Sequence, residues 1–269
     1  MAALPGRSTD PADMAMRVAS AVLGDLRAEE MRDRIIERVG QARRVGQAAA
    51  FLAGQPPSRR AQCSPTLASA EAARMCHERI EALDADLRAI AWHATEHPVA
   101  AGATPAGATL DGFAVAIKDI IDVAGMPTRC GSALTATEPA PADATVVGLL
   151  RSAGAAIIGK THCTEWALND PAPTRNPWDA SRTPGGSSAG SAVAVAAGMC
   201  RATVDTQTAG DVLRPAAYNG VVGFKPSSGW APLDGVTPVA PTIDTIGITA
   251  RHLSDAAAVA AAIADDPPR

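Results

Sequence analysis

The sequence predicts an α/β fold: a mixed, largely parallel sheet flanked by helices, preceded by an extra helical segment at the N-terminus. Three observations lead there. After Pro105, short apolar runs alternate with helical ones, the pattern of strands separated by covering helices. Before it, residues 11–54 repeat apolar side chains at three- and four-residue spacing. Between the halves of the second region lies PGGSSAGSAVAVAAG (residues 184–198), in which every residue after Pro184 is Gly, Ala, Ser or Val. Such a stretch packs its backbone very closely on its neighbours.

The elements follow in chain order. MAMRVASAVLGDL and EEMRDRIIERVGQARRVGQAAAFLAG predict helices, and Gly54 with QPPSRRAQCSP predicts a stop and a linker. SAEAARMCHERIEAL starts a further helix at Ser69, with Glu71 giving part of a capping signal. Then come a strand in FAVAIKD, a helix in DATVVGLLRSAG, a strand in AAIIGKT, a helix in SAGSAVAVAAGMC, a strand in RATVDT, the piece VVGFKP, and a last helix in HLSDAAAVAAAIAD. The division predicted is a helical segment and linker over 1–62 and an α/β domain over 63–269. DTQTAGDVLRP (residues 205–215) reads as a tight small-residue loop that delivers Asp211 and runs into a strand start.

Composition bounds the function. The chain has 269 residues, 47% apolar but only 3% aromatic, so its core is built from Ala, Val, Ile and Leu. A net charge of −4 argues against nucleic acid or anionic membrane as the main partner. No apolar run reaches the roughly 20 residues of a membrane span. The N-terminus lacks a signal-peptide pattern. Cysteines 63, 76, 130, 163 and 200 are odd in number and never in CxxC spacing, which predicts reduced thiols in a cytoplasmic protein and no metal site.

Several motifs carry chemistry. GAAIIGKT (residues 154–161) matches the phosphate-loop pattern letter for letter, but that loop needs a strand before its first Gly and a helix after its Lys. Here the order is reversed, and Gly154 reads as a helix C-cap. Ser187 or Ser188 could cap the small-residue helix, or its start could cradle an anion. Lys118 ends an apolar strand beside Asp119. It is a solvated ion-pair member if exposed and a base of depressed pKa if buried.

Taken together, GFAVAIKD, ADATVVGLLRSAGAAIIGKT, TRNPWDASRTPGGSSAGSAVAVAAG, RPAAYNGVVGFKPSSG and PTIDTIGITARHLSD resemble the amidase signature family from about Ser69 to the end of the chain. The resemblance implies the N-terminal portion of the amidase signature fold, cleavage of carbon–nitrogen amide bonds by a Ser–cis-Ser–Lys triad, and no cofactor. It places Lys118 at the catalytic lysine, Ser187 at the bridging serine after Gly186, and Ser188 at its structural neighbour. The family nucleophile lies 24 positions after the bridging serine in G-x-D-x-G-G-S-[IV]-R. Here 187 + 24 is Asp211, with Thr208, Ala209 and Gly210 at the supporting, oxyanion-hole positions.

The departures cluster: Gln207 stands for Asp, Ala209 for Gly, Asp211 for Ser and Leu213 for Arg. In an extended segment, Arg214, one place later, points to the other face. A carboxylate near Lys118 favours its ammonium form, so the expected outcome is a salt bridge in place of a proton relay. Three readings follow: an impaired hydrolase by descent, a non-enzymatic subunit binding a partner chain or an amide ligand, and an active enzyme using Ser187, Thr206 or Thr208. The partners expected are a small amide and a protein partner or a second copy. Family members commonly continue further, so the resemblance implies either a separate polypeptide or a remnant, with an uncovered sheet edge and apolar face. Residues 11–54 are also similar to the small helical partner subunits of some hydrolases of this family, the carboxybiuret type. A plain amphipathic helix pair has the same pattern.

Overall fold

The computed structural model describes residues 69–93 and 108–264; the predicted helices within 11–54, the linker and Cys63 lie outside them. The elements are α1 (Ser69–Leu87), β1 (Ile90–His93), β2 (Ala114–Lys118), α2 (Thr145–Ser152), β3 (Ala156–Thr161), a 3-10 turn (Glu165–Ala167), α3 (Ala189–Ala197), β4 (Ala202–Gln207), α4 (Leu213–Asn219), β5 (Val222–Phe224), β6 (Thr245–Ala250) and α5 (Leu253–Ile263). The strands form one mixed sheet in the order β1-β3-β2-β4-β6-β5. Its centre, β3-β2-β4, is parallel, and β1, β6 and β5 join antiparallel at the flanks.

Alternation along the strands sorts side chains to two faces. Val115, Ile117, Val204, Ile246 and Ile248 pack with Val147 and Leu150 of α2 and Val259 and Ile263 of α5. Ala114, Ala116 and Ile158 face the other way, against Val193 of α3 and Ala72, Cys76 and Ile80 of α1. β2, β3, β4 and β6 are buried along their whole length, as strands covered on both faces must be.

α3 lies unusually close to the strands beneath it. A Cβ on Gly190 would sit 2.2 Å from the Ala89 carbonyl oxygen and 2.6 Å from the His162 nitrogen. That approach explains the small-residue composition of 184–198.

One local expectation changes. The segment after Asp211 is a helix, α4, and not a strand start. Pro215 sits in its first turn, where a missing N–H leaves no helical bond unmade, so proline is no obstacle there. The phosphate-loop match is a strand: Lys160 is fully buried in β3, its Nζ 3.0 Å from Asp119 Oδ1 and donating to Thr128 Oγ1 (2.7 Å) and the Pro127 carbonyl (3.1 Å). Gly154, at φ 91°, follows α2, and its N–H donates to the Arg151 carbonyl. No described helix is long and apolar enough to cross a membrane.

Two substitutions test this packing. Gly190→Ala should destabilise the protein by about 1–3 kcal/mol, because backbone atoms must move to admit the methyl. Lys160→Met should be worse, about 3–5 kcal/mol, since it leaves the Asp119 charge buried and unpaired. Urea unfolding followed by circular dichroism reads both, and a Gly190→Ala midpoint equal to that of the parent would contradict the close approach.

Candidate functional site

Lys118 is the last residue of β2 and has no exposed surface. Its Nζ donates to three acceptors: Ser187 Oγ at 2.7 Å, Thr206 Oγ1 at 3.1 Å and the Thr206 carbonyl at 3.2 Å. Three acceptors match the three N–H groups of an ammonium. Burial lowers the Lys118 pKa below that of an ordinary lysine; Cys163, Asp205, Asp211 and Asp244 oppose it. The Cys163 thiol is itself pushed up to about 12 by burial, so near neutral pH it carries no charge and the carboxylates alone pull in that direction.

Ser187 follows a cis peptide bond from Gly186. Its carbonyl accepts from the Thr164 N–H at 3.0 Å, which ties the loop to the residue after Cys163. Ser188, fully buried at the start of α3, donates its N–H to the Asp211 carbonyl at 3.1 Å, while its Oγ has no hydrogen-bond partner among the described residues.

Asp211 ends the 208–211 loop with 8% of its surface exposed. Its Oδ2 accepts the N–H groups of Thr208 (2.9 Å) and Ala209 (2.8 Å). Burial would raise its pKa, but those two N–H groups, Lys118 and a hydrogen bond from the Ser187 hydroxyl outweigh it and hold the carboxyl below its usual range. Lys118 thus donates to Ser187, and the Ser187 hydroxyl in turn favours the ionised Asp211. Gly210, at φ 106°, gives the loop its turn. Thr208 Oγ1 donates to Asp244 Oδ1 at 2.5 Å, and Asp244 Oδ2 accepts the N–H groups of Val239 and Ala240.

The structure thus brings Lys118, Ser187 and Asp211 together, with Thr208, Ala209 and Gly210 as the loop around the carboxylate. Arg214 differs from its expected placement. Because the segment is helical, Arg214 turns back over the loop, and its Nε and one terminal nitrogen donate to the Gly186 carbonyl at 3.0 and 2.7 Å. A terminal nitrogen also lies 3.8 Å from Asp211 Oδ1. Leu213 is 44% exposed. Gln207 Oε1 accepts the N–H groups of Val212 (2.9 Å) and Leu213 (3.0 Å), satisfying donors at the start of α4 without a charge.

Sequence reasoning misses the role of three groups. Thr206, a nucleophile candidate by sequence, is an acceptor for Lys118. Asp244 anchors Thr208 from the segment before β6. Asp205, fully buried in β4, stands at the first Gly of G-x-D-x-G-G-S, a departure that the pattern itself displays.

A cleft of about 290 Å³ opens beside Gly186, lined in part by Thr164, Asn169, Gly185, Arg214 and Tyr218. Among the described residues no cluster of His, Cys, Asp or Glu could hold a metal ion. Chemically, the site has buried hydroxyls, one amine, and a carboxylate seated on paired backbone donors.

Comparison with known proteins sets this geometry in context. The family profile described as Amidase matches residues 67–269. The A-type subunit of glutamyl-tRNA(Gln) amidotransferase from Anaeromyxobacter sp. (strain K) is 42% identical over 217 residues, covering 76% of this chain and 44% of the relative. Among solved structures, the native peptide amidase of Stenotrophomonas maltophilia matches with a TM-score of 0.68 and 37% identity, over 76% of this chain and 46% of that one. The corresponding amidotransferase subunit from Thermotoga maritima matches at 0.66 and 33%, over 74% and 44%. A protein described as part of a vestigial complex, revealing the origins of an s-triazine catabolic enzyme, matches at 0.69 and 30%, over 76% and 48%. The chain spans somewhat under half the length of these relatives. With the profile matched over 67–269 and the mixed sheet shared with solved amidases, the chain belongs to the amidase family.

Proposed function

We propose that this chain is an amide hydrolase by descent whose site is held in a non-hydrolytic state by its own carboxylate. The observation that carries the reading is the seat of Asp211: its Oδ2 takes the N–H groups of both Thr208 and Ala209. Those are donors of the kind that would otherwise steady the oxyanion of a tetrahedral intermediate. An incoming amide carbonyl meets filled donors and a negative charge where its own charge has to develop.

The proton path points the same way. Base catalysis needs Lys118 neutral, ready to take a proton through Ser187 from the attacking group. Here Lys118 is the donor to Ser187, and the Ser187 hydroxyl favours an ionised Asp211. Attack by the carboxylate itself would give a mixed anhydride, a high-energy product with no gain over the amide. Loss of a serine nucleophile lowers turnover by on the order of 10⁶.

A second reading, an accessory chain that docks on a partner, draws support from the surface by the cleft. Leu168 (57% exposed) and Tyr218 (48%) are exposed there, and some of the relatives are named as a subunit or part of a complex. Sedimentation of the full chain separates the readings: a concentration-independent monomer speaks against docking of a second copy.

Simple aryl amides give the direct test. The unmodified protein should release no amine above the rate seen with Lys118→Ala, and Asp211→Ser should recover weak hydrolysis at most. Turnover by the unmodified protein that Lys118→Ala abolishes would overturn the reading and move the nucleophile to Ser187, Thr206 or Thr208.

Acid titration gives a second test. A carboxyl whose folded pKa is depressed contributes stability above its unfolded value, and that contribution is lost as pH falls through the folded value. Unfolding free energy should therefore decline below about pH 4, and Asp211→Asn should flatten part of that decline. An acid limb identical in Asp211→Asn would mean that Asp211 is not held ionised by this site.

A further inference from the structure

We infer that Asp205 is the counter-ion of Lys118 and a second lock on the site, acting from within the sheet and independently of Asp211. The inference deepens the proposed function and rests on it for its consequence, though not for its measurement.

Register supplies the geometry. β2 and β4 run parallel with Ala116 opposite Thr203 and Ile117 opposite Val204, so the next step sets Lys118 beside Asp205. Neighbours in such a ladder project to the same face, here the face roofed by α3. Both residues are fully buried. The three acceptors on Lys118 Nζ are all neutral oxygens, so the hydrogen bonds leave the charge of the ammonium to be balanced through space.

Four groups face that charge: Cys163 after β3, Asp205 on β4, Asp211 on the loop and Asp244 before β6. Cys163 is held as the thiol. Asp211 is engaged by two backbone N–H groups and lies near the Arg214 guanidinium. Asp244 is engaged by the Thr208 hydroxyl and by the N–H groups of Val239 and Ala240. Asp119, adjacent in sequence, is paired with Lys160.

Asp205 differs from all of these. One oxygen accepts the hydroxyls of Thr203 and Thr249, both at 2.8 Å. The other makes no hydrogen bond. The Ser191 hydroxyl, 2.6 Å from Thr161 Oγ1, also favours the ionised carboxylate. Burial raises the Asp205 pKa above its ordinary value, and the Ser191 hydroxyl, Lys118 and the two threonines offset only part of that rise. Two hydroxyl donors on one oxygen favour the ionised form. Lys118 is the cation that faces it.

The sequence carries the same message. G-x-D-x-G-G-S has one carboxylate, at the position of Gln207; here that position is an amide and the carboxylates have moved to 205 and 211. Restoring serine at 211 alone therefore leaves Lys118 beside a buried negative charge. The proton that Ser187 would relay has no vacant amine to go to.

The chain has only three lysines, at 118, 160 and 225, so selective ¹³C labelling of the lysine side chains allows Lys118 to be followed directly, its signal identified by its loss in Lys118→Ala. Asp205→Asn in the full-length protein should lower the Lys118 titration midpoint by about one pH unit or more, a tenfold change in its proton affinity, and by more than Asp211→Asn does. Asp205→Gly, the residue of the family pattern, serves as a second variant should Asp205→Asn not fold. A midpoint unmoved by either substitution overturns the inference.

Hydrolysis gives an independent readout. Asp205→Asn with Asp211→Ser should exceed Asp211→Ser alone by about tenfold or more in kcat/KM near neutral pH, and the two should converge at alkaline pH, where Lys118 is neutral in both. Equal activity of the two across the whole pH range also overturns it. Turnover by the unmodified protein would instead sink the proposed function and leave the titration result standing.

Discussion

A lysine sealed from water must find an acceptor for each of its N–H groups within reach of its own side chain, and much of this site is arranged around that need. Lys118 sits at the end of a central strand, where it reaches the Thr206 carbonyl and hydroxyl on neighbouring β4. The third acceptor, Ser187, comes from the loop before α3. Leaving any of these unmade would strand a buried charge, which costs several kcal/mol. The tight roof follows from the same requirement. Only a helix of small residues can lie close enough to keep Thr161, Ser191, Thr203, Asp205 and Lys118 out of solvent while leaving them in contact with one another.

Much of the architecture was legible in the sequence because its signals are local. β2, β3 and β4 are short apolar runs, α2, α3 and α5 have helical spacing, and a glycine-bounded small-residue stretch announces close packing. The grouping of Lys118, Ser187 and Asp211 was expected from the resemblance to the amidase signature family and its 24-residue interval, not from the residues by themselves. What escaped was set by tertiary context. β1 is four residues long and owes its pairing to β3. α4 contains a proline that reads as a breaker until its place in the first turn is known, and with the helix unread the direction of Arg214 came out reversed. Gln207 looked like a lost acid, yet its amide oxygen receives two backbone N–H groups. Asp205 is visible as a departure from the family pattern, but its place beside Lys118 is not: a strand residue reveals its neighbours only through register, which no single sequence displays.

The electrostatics of the centre are a redistribution of charge. An acid is absent at 207 and acids are present at 205 and 211, on either side of it. Asp211 is stabilised by the backbone N–H groups of its own loop, those of Thr208 and Ala209. Asp205 has hydroxyls alone and lies deeper. The two carboxylates therefore meet Lys118 from different directions, one through the Ser187 hydroxyl and one across the sheet. A change at either leaves the other in place, which makes the state of the centre resistant to any single substitution.

The neutral cap supplied by Gln207 has a further consequence. An amide oxygen does not titrate, so the first turn of α4 keeps its hold on Val212 and Leu213 at any acidity the fold survives. Arg214, permanently charged, keeps its grip on the Gly186 carbonyl over the same range. Between Gln207 and Arg214, the N–H groups of Thr208 and Ala209 end instead on an ionisable acceptor, Asp211. Within this segment acidification thus acts on a stretch of four residues clamped at its far end, so the loop can slacken like a latch whose hinge stays bolted.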